Sequence, residues 1–221
     1  MNKFKTFKII VIAIFCSIYF STHSNAQDKT LTFGGRAGIS SSVFTKDYQA
    51  VSERLTGIMF GGFGTYRITN FFSVGVELLY IQQGASNLLF IDTIIPGTTT
   101  NLTFHTIDIP VLLIFNIPEM DKVNPKIFIG HSFGYNFRVN AASRMLLNDN
   151  PVIYANNYSD KTNRYERLDF GIVAGIGTDF KANNMIFTID GRYRLGYTNI
   201  FLHNFDHTSF GYVCVSVGVG F

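Results

Sequence analysis

The sequence has no tryptophan, and only two cysteines among its 221 residues. One of them, Cys16, lies in an N-terminal segment that reads as a leader. Cys214 is then the only cysteine of the remaining chain, which excludes an intramolecular disulfide. No apolar run after residue 26 approaches the about 20 residues that a membrane helix needs. No long helical periodicity is present there either. A G-x-S-x-G nucleophile motif is absent. The glycine-rich stretches "FGGFG" (60–64) and "GIGTDF" (175–180) are followed by no helix whose N-terminus could hold a phosphate, so they read as places where strands curve and large neighbours fit. Charge of one sign is also missing. The chain has 18 Lys and Arg against 15 Asp and Glu, but Lys3, Lys5 and Lys8 belong to the leader. The rest is formally neutral, and no nucleic-acid partner is implied.

Residues 1–26 have the parts of a secretory signal peptide. Lys3, Lys5 and Lys8 form a positive start, Ile9 to Phe20 a mostly apolar stretch, and Ser24-Asn25-Ala26 a small-residue cleavage site. Phe15, just before Cys16, argues against a lipoprotein signal. The expected division is a signal peptide over 1–26 and one domain over 27–221.

The whole sequence is rich in Phe (23), Tyr (11) and Gly (20), and most of these residues lie after the leader. Eight segments alternate with period 2: 31–40, 57–68, 71–83, 103–116, 126–138, 167–180, 185–197 and 209–221. They are longer than the usual soluble strand and match the roughly 9–11 residues of a tilted strand crossing a bilayer. The connections alternate between long and short. The long ones (41–56, 84–102, 139–166, 198–208) are polar. The short ones hold Thr69-Asn70, the Pro118 to Pro125 segment and Lys181 to Asn184. This sorting is what an outer-membrane barrel produces, with short turns in the periplasm and long loops outside. The faces agree. In 185–197, Met185, Phe187, Ile189, Tyr193, Leu195 and Tyr197 oppose Thr188, Asp190, Arg192 and Arg194. Large aromatic faces opposed by glycine and charge fit a barrel with lipid outside and a polar plug inside. Segment 57–68 has two equally apolar faces.

The final stretch "GYVCVSVGVGF" (211–221) carries the argument further. In lipid every backbone N–H and C=O must be paired internally, so the last strand must close on the first. Val213, Val215, Val217, Val219 and Phe221 would face lipid. The ending Val217, Val219, Phe221 resembles the signal by which barrel-assembly machinery recognises outer-membrane barrels. The expected fold is all-β: an eight-stranded antiparallel up-and-down transmembrane β-barrel in the bacterial outer membrane.

The stretches "HTIDIPVLLIFNI" (105–117), "PKIFIGHSFGYNF" (125–137), "RLDFGIVAGIGTDF" (167–180) and "IFTIDGRYRLGYTNI" (186–200) resemble the PorT-like outer-membrane β-barrel family of Bacteroidetes, and "GIMFGGFGTYRITNFFSVGVELLYIQQG" (57–84) also fits. The resemblance covers nearly the whole chain after the leader. It implies a barrel, and through the founding member a link to a secretion and gliding apparatus. Asp108 stands where the family usually has Glu, and His131 where Pro is common.

Nine charges are expected inside: Arg36, Glu77, Asp108, Arg138, Asp169, Asp179, Asp190, Arg192 and Arg194. Buried charges must be paired, so these read as a network plugging a lumen that eight strands make only just wide enough for side chains. His203 and His207 are spaced i, i+4 but lie in a loop, so no metal ligation and no cofactor are expected. His131 and Ser132 face opposite sides of one strand and cannot meet, and no catalytic residues are assigned. Loop residues Arg144, Tyr154, Tyr158, Arg164 and Tyr165 are candidates for partner contact. Asp92-Thr93-Ile94 resembles a short O-glycosylation signal. The expected function is non-enzymatic: structural, adhesive, or accessory to a surface or secretion machine. A small-solute pore and a lipid-modifying barrel enzyme are the alternatives.

Overall fold

The computed structural model describes residues 31–45, 53–88, 98–117, 123–147, 150–154, 165–182, 185–200 and 208–221. Residues 1–26, Asp92-Thr93-Ile94, Tyr158, Arg164, His203 and His207 lie outside the described residues. The strands are β1 (Leu31–Thr45), β2 (Glu53–Arg67), β3 (Phe72–Leu88), β4 (Thr98–Asn116), β5 (Val123–Leu147), β6 (Asn150–Tyr154), β7 (Leu168–Ala182), β8 (Met185–Gly196) and β9 (Ser209–Gly220). Among the described residues no helix is long and apolar enough to cross a membrane.

Every strand pairs antiparallel with its neighbours, in the order β4-β3-β2-β1-β9-β8-β7-β5, and β4 pairs with β5 to close the ring. The wall is therefore a closed barrel of eight strands, as the sequence pattern predicts. The closing seam runs from Gly34↔Gly220 to Thr45↔Ser209. Phe33 and Phe221 exchange both backbone hydrogen bonds, at 3.1 and 2.9 Å, so pairing reaches the final residue. A ring without edges is what hydrocarbon requires of backbone polar groups.

The pleat sorts side chains between lipid and lumen. On β5, Ile127, Ile129, Phe133, Tyr135 and Phe137 are exposed on the outside, and Phe128 and Ser132 are buried inside. From Ile127 to Phe137 is ten residues, which at about 3.4 Å per residue and a tilt of about 40° spans roughly 26 Å, the height of an outer-membrane barrel's apolar band.

At the short turns the expected spans agree with the structure to within three residues. At the other end β7, β8 and β9 agree to within one residue, but β1 to β5 run past the expected spans. β1 runs on to Thr45, β3 to Leu88 and β5 to Leu147, while β4 begins at Thr98. These extensions are rich in Ser, Thr and Asn, so the apolar alternation stops although the ladder continues. β6 is a correction to the expected loop 139–166: it folds back on the end of β5, with Ser143↔Tyr154 and Leu147↔Asn150 in register. A ribbon of β4, β5 and β6 thus rises beyond the apolar band.

Gly84 has φ of 155°, and a Cβ there would lie 1.9 Å from the carbonyl oxygen of Leu102. Its N–H donates to Ser42 Oγ at 2.8 Å, and its carbonyl accepts from the same hydroxyl at 3.0 Å. Gly84→Ala is expected to cost about 1–3 kcal/mol through backbone strain. The check is a lower temperature for loss of the SDS-resistant folded band on a gel.

Candidate functional site

Among the described residues buried polar and charged groups gather in the lumen, and its contents lie in tiers. At the short-turn end Lys126 Nζ is 2.6 Å from Asp179 Oδ1 and donates to Thr188 Oγ1 at 3.3 Å. Thr188 also donates to Asp179. Asn116 joins Ser73 to Asn124. A cavity of about 280 Å³ fills this end, with Arg36, Arg67, Lys126, Asp179 and Arg192 in its wall.

Above it three strands contribute a quartet. Arg36 comes from β1, Glu77 from β3, and Asp190 and Arg192 from β8. Arg36 Nη1 is 2.7 Å from Asp190 Oδ2 and 3.2 Å from Glu77 Oε1. Arg192 Nη1 is 2.6 Å from Glu77 Oε2, and its Nη2 and Nε each donate to Asp190 Oδ1 at 3.0 Å. Ser216 adds a donor to that same oxygen at 2.9 Å. Two cations and two carboxylates balance, which is the condition under which charge can be buried. Each guanidinium also lies on a ring, Arg36 at 4.9 Å from the Phe63 centroid and Arg192 at 5.3 Å from that of Phe128. A Cβ on Gly175 would come within 2.4 Å of the Phe128 ring, so glycine there makes the space for the ring that carries Arg192.

The next tier holds Asp108, Asp169 and Arg194. Ser132 Oγ donates to Asp108 at 2.6 Å and accepts from Arg194 Nε at 2.8 Å. Arg194 Nη1 lies 3.1 Å from Asp169 Oδ2. Gln83 donates to Asp169 at 2.9 Å and to Thr106 at 3.2 Å, and Thr106 donates to Asn136 at 2.7 Å. Beside them pack Met59, Leu79, Ile81, Tyr212 and Cys214. The far end is apolar. Ala85, Leu102, Phe104, Val139, Ile200 and Phe210 form one cluster, with Phe44, Ala141 and Tyr165 against it. Phe210 meets Phe104 at 4.7 Å and Phe44 at 5.3 Å between ring centroids.

Eight of the nine charges expected inside point into the lumen, and the structure brings them into these three groups. Arg138 is the exception and is corrected here: it is exposed on the outer wall. The register gives the cause. His105 pairs with Arg138 but Thr106 pairs with Asn136, so Phe137 is an extra residue in β5 and the alternation reverses beyond it. Val139 takes the inward place. Lys126 was missed although it shares the parity of Phe128 and Ser132, because it sits at the very start of the expected segment. Val217, Val219 and Phe221 lie exposed along β9 and its end. Arg144 falls in β5 and Tyr154 in β6. Tyr165 is half-buried and packs edge-on against Phe104 at 5.3 Å.

Ser132 is 1% exposed and held by Asp108 and Arg194, while His131 is exposed on the opposite face. The geometry thus ties this serine into the lumen network and keeps it apart from His131. Among the described residues no group of His, Cys, Asp and Glu is arranged to hold a metal.

A closed eight-stranded wall, apolar outside and ion-paired inside, defines an outer-membrane barrel protein. Residues 25–202 match the family model of the outer membrane protein beta-barrel domain. The chain belongs to that family and resides in the bacterial outer membrane. No curated protein matches it by sequence. Similar solved structures include Neisserial surface protein A, at 13% identity over 86% of this chain and 95% of that one, with a TM-score of 0.48. OprG of Pseudomonas aeruginosa is 12% identical over 87% and 95%, with a TM-score of 0.49. Ail of Yersinia pestis, in a complex with a heparin analogue, is 14% identical over 86% and 99%, with a TM-score of 0.43.

Proposed function

We propose that the protein is a non-conducting, non-enzymatic surface barrel whose outer rim contacts a partner protein. The observation that carries this reading is the filled lumen. Beyond the cavity at the short-turn end, the ion quartet and the Phe104–Phe210 cluster lie one above the other across the lumen of an eight-stranded barrel. What the described chain offers beyond the band is the β4–β5–β6 ribbon, which bears Arg144 and Tyr154; Tyr158 and Arg164 follow it in sequence. Long connections on a rigid wall are where barrels carry recognition.

The PorT-like resemblance of 105–117, 125–137 and 167–200 supports a place beside a surface or secretion machine of Bacteroidetes. On this reading residues 1–26 are a cleaved signal peptide, the domain is 27–221, Val217, Val219 and Phe221 engage the barrel-assembly machinery, and the outer wall contacts membrane lipid. The test is photocrosslinking in living cells from Arg144 and Tyr154, comparing the full chain with one lacking 141–163. The expected result is a partner band lost on deletion while the barrel still shows its heat-dependent gel shift. Absence of any crosslink from the full chain would sink the proposal.

A further inference from the structure

The bulge at Phe137 does more than spare the lumen a charge. It places Arg138 at the upper edge of the apolar band, where outward side chains change character together. Gln82 pairs in register with His105, and His105 with Arg138. These positions lie just above the aromatic level of Tyr80, Tyr135 and Phe137.

The polar residues there are joined in a chain. Gln82 Nε2 donates to Tyr80 Oη at 3.1 Å, and Tyr80 Oη lies 2.6 Å from His105 Nδ1. Asn140 Nδ2 is 2.9 Å from His105 Nε2, and Arg138 Nε donates to Asn140 Oδ1 at 3.2 Å. With Asn140 donating, His105 is neutral and carries its proton on Nδ1, which donates to Tyr80. The chain ends on a guanidinium held by its inner nitrogen. Its outer nitrogens have no carboxylate partner among the described residues. Nearby on the same wall, Arg167 lies over the Tyr135 ring and donates to its hydroxyl at 2.7 Å. Tyr135 and Arg138 are three residues apart on β5, so two guanidinium groups flank one short stretch of the lipid-facing surface.

A charge on the outer wall of a barrel is disfavoured at the centre of the bilayer and tolerated at its surface. There the neighbouring material is the lipid headgroup layer. A guanidinium with a free fork matches a phosphate in shape and charge. The long connections place this end of the barrel at the cell exterior. We propose that Arg138, positioned by the Asn140–His105–Tyr80 chain and assisted by Arg167, binds the phosphate of a phosphorylated lipid headgroup in the outer leaflet.

The test uses the full chain purified in its folded form in non-ionic detergent, with bound lipid counted by native mass spectrometry. The probes are bisphosphorylated lipid A and phosphatidylcholine. The wild type is expected to retain lipid A in preference to phosphatidylcholine. Arg138→Gln should lower that retention about tenfold, the loss of one charge-assisted hydrogen-bond set. Arg138→Lys, which keeps the charge without the fork, should fall between. Arg67→Gln, at the other end of the barrel, should behave as wild type. Equal retention of lipid A by the wild type and Arg138→Gln, both with the folded gel shift, overturns the proposal. So does equal retention of the two lipids. Displacement of lipid A by millimolar inorganic phosphate would mark a free-ion site and overturn it as well.

Discussion

Arg192→Met is expected to lower the unfolding free energy by about 3 to 5 kcal/mol, because it leaves a carboxylate buried without its partner. The quartet makes the direction firm. Glu77 and Asp190 share Arg192 on one side and Arg36 on the other, with contacts of 2.6 to 3.2 Å. Removing Arg192 leaves two carboxylates around one guanidinium. The double variant Glu77→Gln/Arg192→Met restores the balance, since Arg36 and Asp190 then form a neutral pair at 2.7 Å. It should recover most of the loss, giving a coupling of about 2 kcal/mol or more between the two positions, as neighbours in one network do. Urea titration of the barrel in lipid vesicles, followed by the folded gel band, measures all four corners of this cycle. A double variant as unstable as the sum of the singles would show that Arg192 acts through packing on Phe128 rather than through charge.

Arg36, Glu77, Asp190 and Arg192 were legible in the sequence because each lies in a stretch where period 2 is unbroken, so parity alone aims them inward. The same rule failed at Arg138. A bulge adds one residue and reverses every side chain beyond it, and nothing in "FGYNFRVN" announces which residue is extra. The apolar part of the lumen was hidden for another reason. Leu79 and Ile81 are buried inside, on a strand whose outer face, with Val76 and Leu78, is also apolar. Where both faces are apolar, alternation vanishes. Segment 57–68 showed this openly, and Met59 is one of its inward residues. The strand extensions escaped because their Ser, Thr and Asn stand where lipid no longer demands an apolar face. Their pairing is set by the ladder from below. In each case the backbone register carried information that residue type did not.

The filled lumen makes a second prediction, that the barrel is closed twice and each closure suffices. The quartet blocks the middle of the lumen with bonded side chains. The cluster of Phe104, Phe210 and their neighbours blocks the outer end with apolar ones, and both aromatic rings are fully buried. The wild-type chain is therefore expected to give no single-channel steps in a planar bilayer. Phe104→Ala/Phe210→Ala opens only the outer end, and Glu77→Ala/Arg192→Ala only the middle, so each pair should stay silent. All four substitutions together should give steps. Each truncated phenylalanine costs about 3–5 kcal/mol, so the gel shift must first show that the variant has inserted folded. Steps from either pair alone would mean that the other tier does not block water and ions. Silence from the inserted fourfold variant would assign a third closure to the tier of Asp108, Ser132 and Arg194, where Ser132 joins the carboxylate to the guanidinium at 2.6 and 2.8 Å.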